Sequence, residues 1–247
     1  MSLRTQLRAS WGLLALNGII PVKRMPLYLV NTLGAPFSFL FFIYVVSKGQ
    51  LVGFGVAGGL VLTTFSIGTS LQADMTHFRV DLKLQDMVVA SPMRASTYVL
   101  GMALSELAFA TPGIVVFLLV GYATQRPGIL GLPIILGTLL LIWALGCSLG
   151  FFLATYLRDI RETFAIAPLL SLVLSVLPPV YYPFWVLGDF QWLGYLAPTA
   201  DASVLIQGAL GITPLTAWDW IRSAAILIAF TAAFMLLAMY KAQWREK

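Results

Sequence analysis

Few side chains in this 247-residue chain could carry covalent or acid–base chemistry. It holds ten carboxylates, a single histidine, His77, and a single cysteine, Cys147. One histidine excludes a histidine-rich metal site and leaves no workable Ser-His-Asp or Cys-His arrangement. Cys147 lies in an apolar run, cannot close an internal disulfide, and reads as a small packing residue. There is no G-x-x-x-x-G-K-[ST] phosphate loop, so the chain does not hydrolyse ATP by that route. Asp74, Asp81 and Asp86 are the only acids that could serve a membrane enzyme acting on lipid intermediates, and their spacing is wide for holding metal and phosphate. Glu106 sits inside an apolar run, where a carboxylate is costly and should face a bundle interior. It is either a polar element of a transport pathway, a relay to the polar segment before it, or a hydrogen-bonded packing group. A proton- or sodium-coupled transporter usually needs several such groups, so any energy source is expected outside this chain. A passive scramblase or channel gains little support from so few polar span residues.

The elements that must position these residues follow from composition. The chain is 60% hydrophobic and only 10% charged, against roughly 25% charged in a soluble domain. No water-soluble fold of this size could hide so much apolar surface, so lipid is the solvent that fits. About 20 apolar residues cross the roughly 30 Å hydrocarbon core. Six runs reach that length: 27–47, 51–73, 95–123, 129–157, 163–182 and 221–240. Six spans place both termini on one side. Of the 15 basic residues, 12 fall on the face formed by the N-terminal segment, the 74–94 and 158–162 loops and the C-terminal tail. Only Lys48, Arg126 and Arg222 fall on the other. The positive-inside rule makes the crowded face cytoplasmic; the same bias accounts for the net charge of +5 without nucleic acid.

Three further segments stand out. In residues 1–22, Arg4 and Arg8 precede an apolar stretch without a small-residue cleavage site, so a signal peptide is rejected. Leu3, Leu7, Trp11 and Leu14 share one helical face, as in a helix lying in the membrane interface with Trp11 at headgroup depth. In the polar 74–94 segment, Leu84, Met87, Val88 and Ser91 share one face and Pro92 stops the helix. Such a stripe either docks a partner or packs on its own spans. The 183–217 stretch is too apolar for a free loop and too broken for one span. Short helices dipping into the outer leaflet would shield its backbone, with Phe184, Trp185, Phe190, Trp192 and Tyr195 at the outer interface.

The whole organisation resembles the membrane subunit of type-2 ABC exporters. The local match is best from Leu84 to Gly101, a leucine-rich turn followed by Ser91-Pro92, the basic Arg94 and a glycine opening the next span. A second match is Tyr181-Tyr182-Pro183 followed by Leu196-Ala197-Pro198-Thr199. Pro178-Pro179 stands where the family often has Ser-Gly, and Ala197 where it usually has asparagine. The resemblance implies an all-α integral membrane protein with six transmembrane helices, an N-terminal interfacial helix, a cytoplasmic coupling helix and an outer re-entrant helical hairpin. It implies that Leu84, Met87, Val88, Ser91, Pro92 and Arg94 touch the ATPase, with Glu106, Tyr181 and Tyr182 as pathway or relay candidates. It further implies two ABC ATPase subunits, a second permease copy, identical or related, the cytoplasmic membrane as location, and ATP and magnesium on the partner rather than here.

Overall fold

The computed structural model describes residues 3–24, 26–83, 87–88, 90–91, 93–157 and 159–241, and no strand occurs among them. In chain order the helices are α1 (Leu3–Leu14), a π-turn (Ala15–Ile19), α2 (Ile20–Arg24), α3 (Pro26–Val46), α4 (Val52–Val80), α5 (Ala95–Gln125), α6 (Gly131–Ala154) and α7 (Ile160–Ser171). A second π-turn (Leu172–Val176), a 3₁₀ turn (Phe184–Phe190), α8 (Gln191–Gly194), α9 (Pro198–Ala209) and α10 (Ala217–Lys241) complete the chain.

Four helices are long and apolar enough to cross a membrane, namely α4, α5, α6 and α10, while α3 contributes the shorter apolar stretch Leu33–Val46. α4 is the axis of the bundle. It is buried almost throughout and packs on α3, α5, α6, α7 and α9. Glycines let the backbones of α4 and α6 touch. A Cβ at Gly146 would stand 2.9 Å from the Phe65 carbonyl oxygen, and one at Gly150 2.9 Å from that of Thr69.

Two boundaries depart from the hydropathy reading. α4 does not stop at Ala73 but runs to Val80, about 44 Å in all at 1.5 Å per residue. Polarity rises at Asp74, yet no glycine or proline interrupts the i→i−4 ladder there, so the helix propagates past the apolar stretch. It ends where the His77 carbonyl accepts from both Asp81 and Leu82 N–H groups, at 3.0 and 3.1 Å, and Lys83 turns to φ 50°. The first third of the segment expected at 74–94 is therefore helix extension, and the elbow itself is residues 81–94. The fifth apolar run starts and ends early. Asp159 caps α7 by accepting from the Arg161 N–H at 2.9 Å. Pro178 and Pro179 lack the donors to extend the helix beyond the π-turn, so Tyr181 and Tyr182 lie outside it.

α9 closes the end of the bundle opposite the elbow. Every residue from Pro198 to Gln207 is buried. Thr199, Ser203 and Gln207 recur every four residues on one face. Thr199 Oγ1 donates to the Leu174 carbonyl within the second π-turn. Ser203 Oγ donates to the Val180 carbonyl at 2.6 Å and accepts from Gln207 Nε2 at 2.9 Å. These hydroxyls satisfy backbone acceptors that the broken end of α7 leaves open.

Candidate functional site

The candidate site is the elbow joining α4 to α5, together with the N-terminal helix strapped across it. α1 packs on α5 through polar and small residues. Gln6 Oε1 accepts from the Arg94 N–H at 3.2 Å and from Thr97 Oγ1 at 2.6 Å. Ser10 Oγ donates to the Thr97 carbonyl at 3.0 Å. Gly18 permits the closest approach, since a Cβ there would stand 3.0 Å from the Ser105 Cα. The apolar face expected from the sequence points the other way: Leu7 and Trp11 are each 63% exposed, with Arg4 and Arg8 exposed beside them. Leu13 packs inward against Gly101, yet Leu7 and Trp11 leave an apolar strip facing out, which a soluble surface helix would bury.

The π-turn carries Asn17 inward. Its Nδ2 donates to Asp74 Oδ2 at 2.8 Å, joining the strap to α4. One turn along α4, Ser70 Oγ donates to Glu106 Oε2 on α5 at 2.6 Å. Glu106 is 2% exposed, and its Oε1 has no hydrogen-bond partner among the described residues. Asn17, Asp74, Glu106 and Ser70 thus form one polar line from the strap into the apolar bundle. Beside it lies a cavity of about 210 Å³ lined by Leu13, Leu16, Asn17, Phe78, Val88 and Tyr98. Two further contacts fasten this end. Arg79 Nη2 donates to the Leu157 carbonyl, and His77 Nδ1 pairs with Asp81 Oδ2 at 2.7 Å.

The predicted elbow face divides. Val88 turns inward against the cluster of Leu71, Tyr98 and Met102. Met87, 67% exposed, and Ser91 turn outward, and Ser91 Oγ donates to the Val88 carbonyl at 2.6 Å. Arg94 is exposed and precedes α5 in an extended conformation. Leu84 and Pro92 lie outside the described residues.

Tyr181 and Tyr182 belong to a separate region. The Tyr181 ring packs on Gly58 and on Phe39, 5.2 Å between centroids. The Tyr182 hydroxyl donates to the Leu177 carbonyl at 2.7 Å. Both line an apolar groove against Phe42, Ile43 and Val46 of α3. Gly58 and Ser70 are twelve residues apart on α4, about 18 Å, so the tyrosines and Glu106 do not share one site. Sequence reading missed Asn17 with its bond to Asp74 and the Ser70 bond to Glu106. The one available signal was Asn17 itself, a lone amide within the apolar run 13–20.

A family model described as ABC-2 type transporter matches residues 10–210, a stretch that takes in the strap's inner half, α3, the elbow, the three long helices α4, α5 and α6, α7 and α9. No curated protein matches the chain.

Proposed function

Because the chain belongs to the ABC-2 type transporter family, and so is the integral membrane permease component of an ABC transporter, we propose that it moves its substrate outward, driven by two separate ATPase subunits docked at the elbow. The permease pairs with a second copy, identical or related. ATP and magnesium act on the ATPase subunits. The observation that carries this reading is the divided elbow: Met87 and Ser91 project outward while Val88, on the same short helix, is wedged against α4 and α5. A partner that pushes the outer side moves the inner side. The polar line runs into the bundle through two directional bonds between different elements, Asn17 to Asp74 and, one turn along α4, Ser70 to Glu106. A ligand-driven change must bias two states by differential contact, and the elbow supplies that contact.

In the same reading α3 and α7 complete six spans, the termini and elbow are cytoplasmic, and the outward face of α1 lies in the inner headgroup layer. The 183–217 region dips into the outer leaflet as a re-entrant hairpin, and the Tyr181–Tyr182 groove lies on the substrate path. A membrane enzyme acting on lipid intermediates finds no favouring observation, since Asp74 and Asp81 are engaged by Asn17 and His77.

The test is co-purification with the ATPase. Met87→Asp combined with Ser91→Arg should release the ATPase subunit while the permease stays folded in the membrane. Retained ATPase binding with full activity would overturn the elbow assignment.

A further inference from the structure

α9 is buried on every side, so each polar group on it must be matched. Thr199, Ser203 and Gln207 are matched; Asp201 is not. It is fully buried, and neither carboxylate oxygen has a hydrogen-bond partner among the described residues. Asp201 lies on the opposite face of α9 from the Thr199–Ser203 stripe; α9 packs against the start of α10, with Trp220 against Gly208, and Ser223 and the charge of Arg222 there act on Asp201. Ser223 Oγ and Arg222 Nε are themselves buried without a hydrogen-bond partner among the described residues.

Arg222 is engaged elsewhere. Its Nη2 donates to Asp219 Oδ1 at 3.2 Å, one turn earlier on the same helix, and its guanidinium lies 4.2 Å from the centre of the Tyr195 ring. Asp219 has little need of it. Its Oδ2 already accepts from the Thr216 N–H at 3.0 Å and the Thr216 hydroxyl at 2.7 Å, the reciprocal cap that begins α10. The Arg222 cation therefore sits on an acid already served, while the carboxylate oxygens of the buried Asp201 have no hydrogen-bond partner among the described residues.

We propose that Arg222 is a positioning residue with two stations, exchanging Asp219 for Asp201 and thereby fastening α9 to α10. A guanidinium carries five N–H donors in a planar fork, so a turn of the side chain can bring the idle Nε edge to Asp201. The Tyr195 face holds the cation along the way. The fastening reaches further than two helices, because Thr199 and Ser203 tie α9 to the end of α7. The position of α10 is thus passed to the broken end of α7. The exchange is a property of this chain alone and does not rest on the transport reading.

Hydrogen exchange read by mass spectrometry, on the purified full chain in phosphatidylcholine nanodiscs, tests it. Asp219→Asn removes the rim station and should slow exchange of α9 amides roughly tenfold, the scale of one charged hydrogen bond. The first turn of α10 should loosen at the same time as its cap weakens. Adding Asp201→Asn should return α9 to wild-type exchange, and Arg222→Gln should make α9 indifferent to residue 219. If Asp201→Asn does not yield folded protein, Asp201→Ser serves the same comparison. Exchange in α9 that ignores Asp219→Asn, or that slows equally with Asp201 replaced, overturns the proposal.

Discussion

Replacing Asn17 with leucine keeps the side-chain size and removes its donation to Asp74 at 2.8 Å, along with a long, weak one to the Met102 sulfur at 4.0 Å. A hydrogen bond to a charged group contributes about 1.5–3 kcal/mol in water-soluble proteins, whereas polar bonds between membrane helices average about 0.6 and reach about 1.7 kcal/mol. The Asn17–Asp74 bond is half-buried at the elbow end, so about 1.5 kcal/mol is the working figure, close to a factor of ten in an equilibrium. That factor applies to lifting of the strap from α5. Arg8, Lys23 and Arg24 are exposed on the strap but helical, and trypsin needs them locally unfolded. When reclosing outpaces cleavage, the cleavage rate follows the open population. Limited trypsin digestion of the detergent-solubilised chain should therefore cut the strap about tenfold faster in Asn17→Leu. Asn17→Asp, which sets two carboxylates against each other, should cut faster still. The exchange Asn17→Asp with Asp74→Asn restores a donor–acceptor pair and should return most of the protection. Cleavage of Asn17→Leu within about twofold of wild type would refute the claim that this bond holds the strap.

Three other outcomes follow from contacts already described. Ser203→Ala leaves the Val180 carbonyl and Gln207 Nε2 without this partner and should cost about 1–3 kcal/mol, the penalty of a buried polar group left unsatisfied. A thermal melt should show it, while Ser148→Ala, whose hydroxyl bonds only its own helix at Ala144, should stay within about 0.5 kcal/mol. Gly146→Ala should lower the melting temperature through about 1–3 kcal/mol of overpacking against the Phe65 carbonyl, whereas Gly137→Ala, with open space around it, should be neutral or slightly stabilising. A fluorophore on Leu7→Cys should be quenched by a lipid-bound quencher more than by iodide; the reverse order would remove α1 from the membrane interface.

Much of the architecture was legible because hydrocarbon thickness fixes the length of an apolar helix. α3, α5 and α10 begin and end within a few residues of the apolar runs for that reason. α4 overran its run because a helix stops at a backbone break and not at a change of polarity. α7 stopped short because Pro178 and Pro179 outweigh the apolar residues around them. The strap shows a different limit. Leu7 and Trp11 gave a true face, yet the partners of Gln6, Ser10 and Asn17 lie at Thr97 and Asp74, far along the chain, and periodicity carries no information about such pairings. Glu106 was legible as a buried carboxylate, but not its bond to Ser70. Sequence reading did not single out Asp201, because its unmatched burial depends on the packing of α9 against α10 and not on any local pattern.

The π-turn at Ala15–Ile19 makes the length of the leader unforgiving. It lodges about one more residue than an α-helical turn does, so Gln6 and Ser10 before it and Asn17 and Gly18 within it all meet the same neighbouring helices. Excising only Leu16 would leave hydropathy and charge untouched yet swing one half against the other by about 100°. A stretch that looks like a dispensable tail is therefore as intolerant of a one-residue deletion as the bundle it crosses.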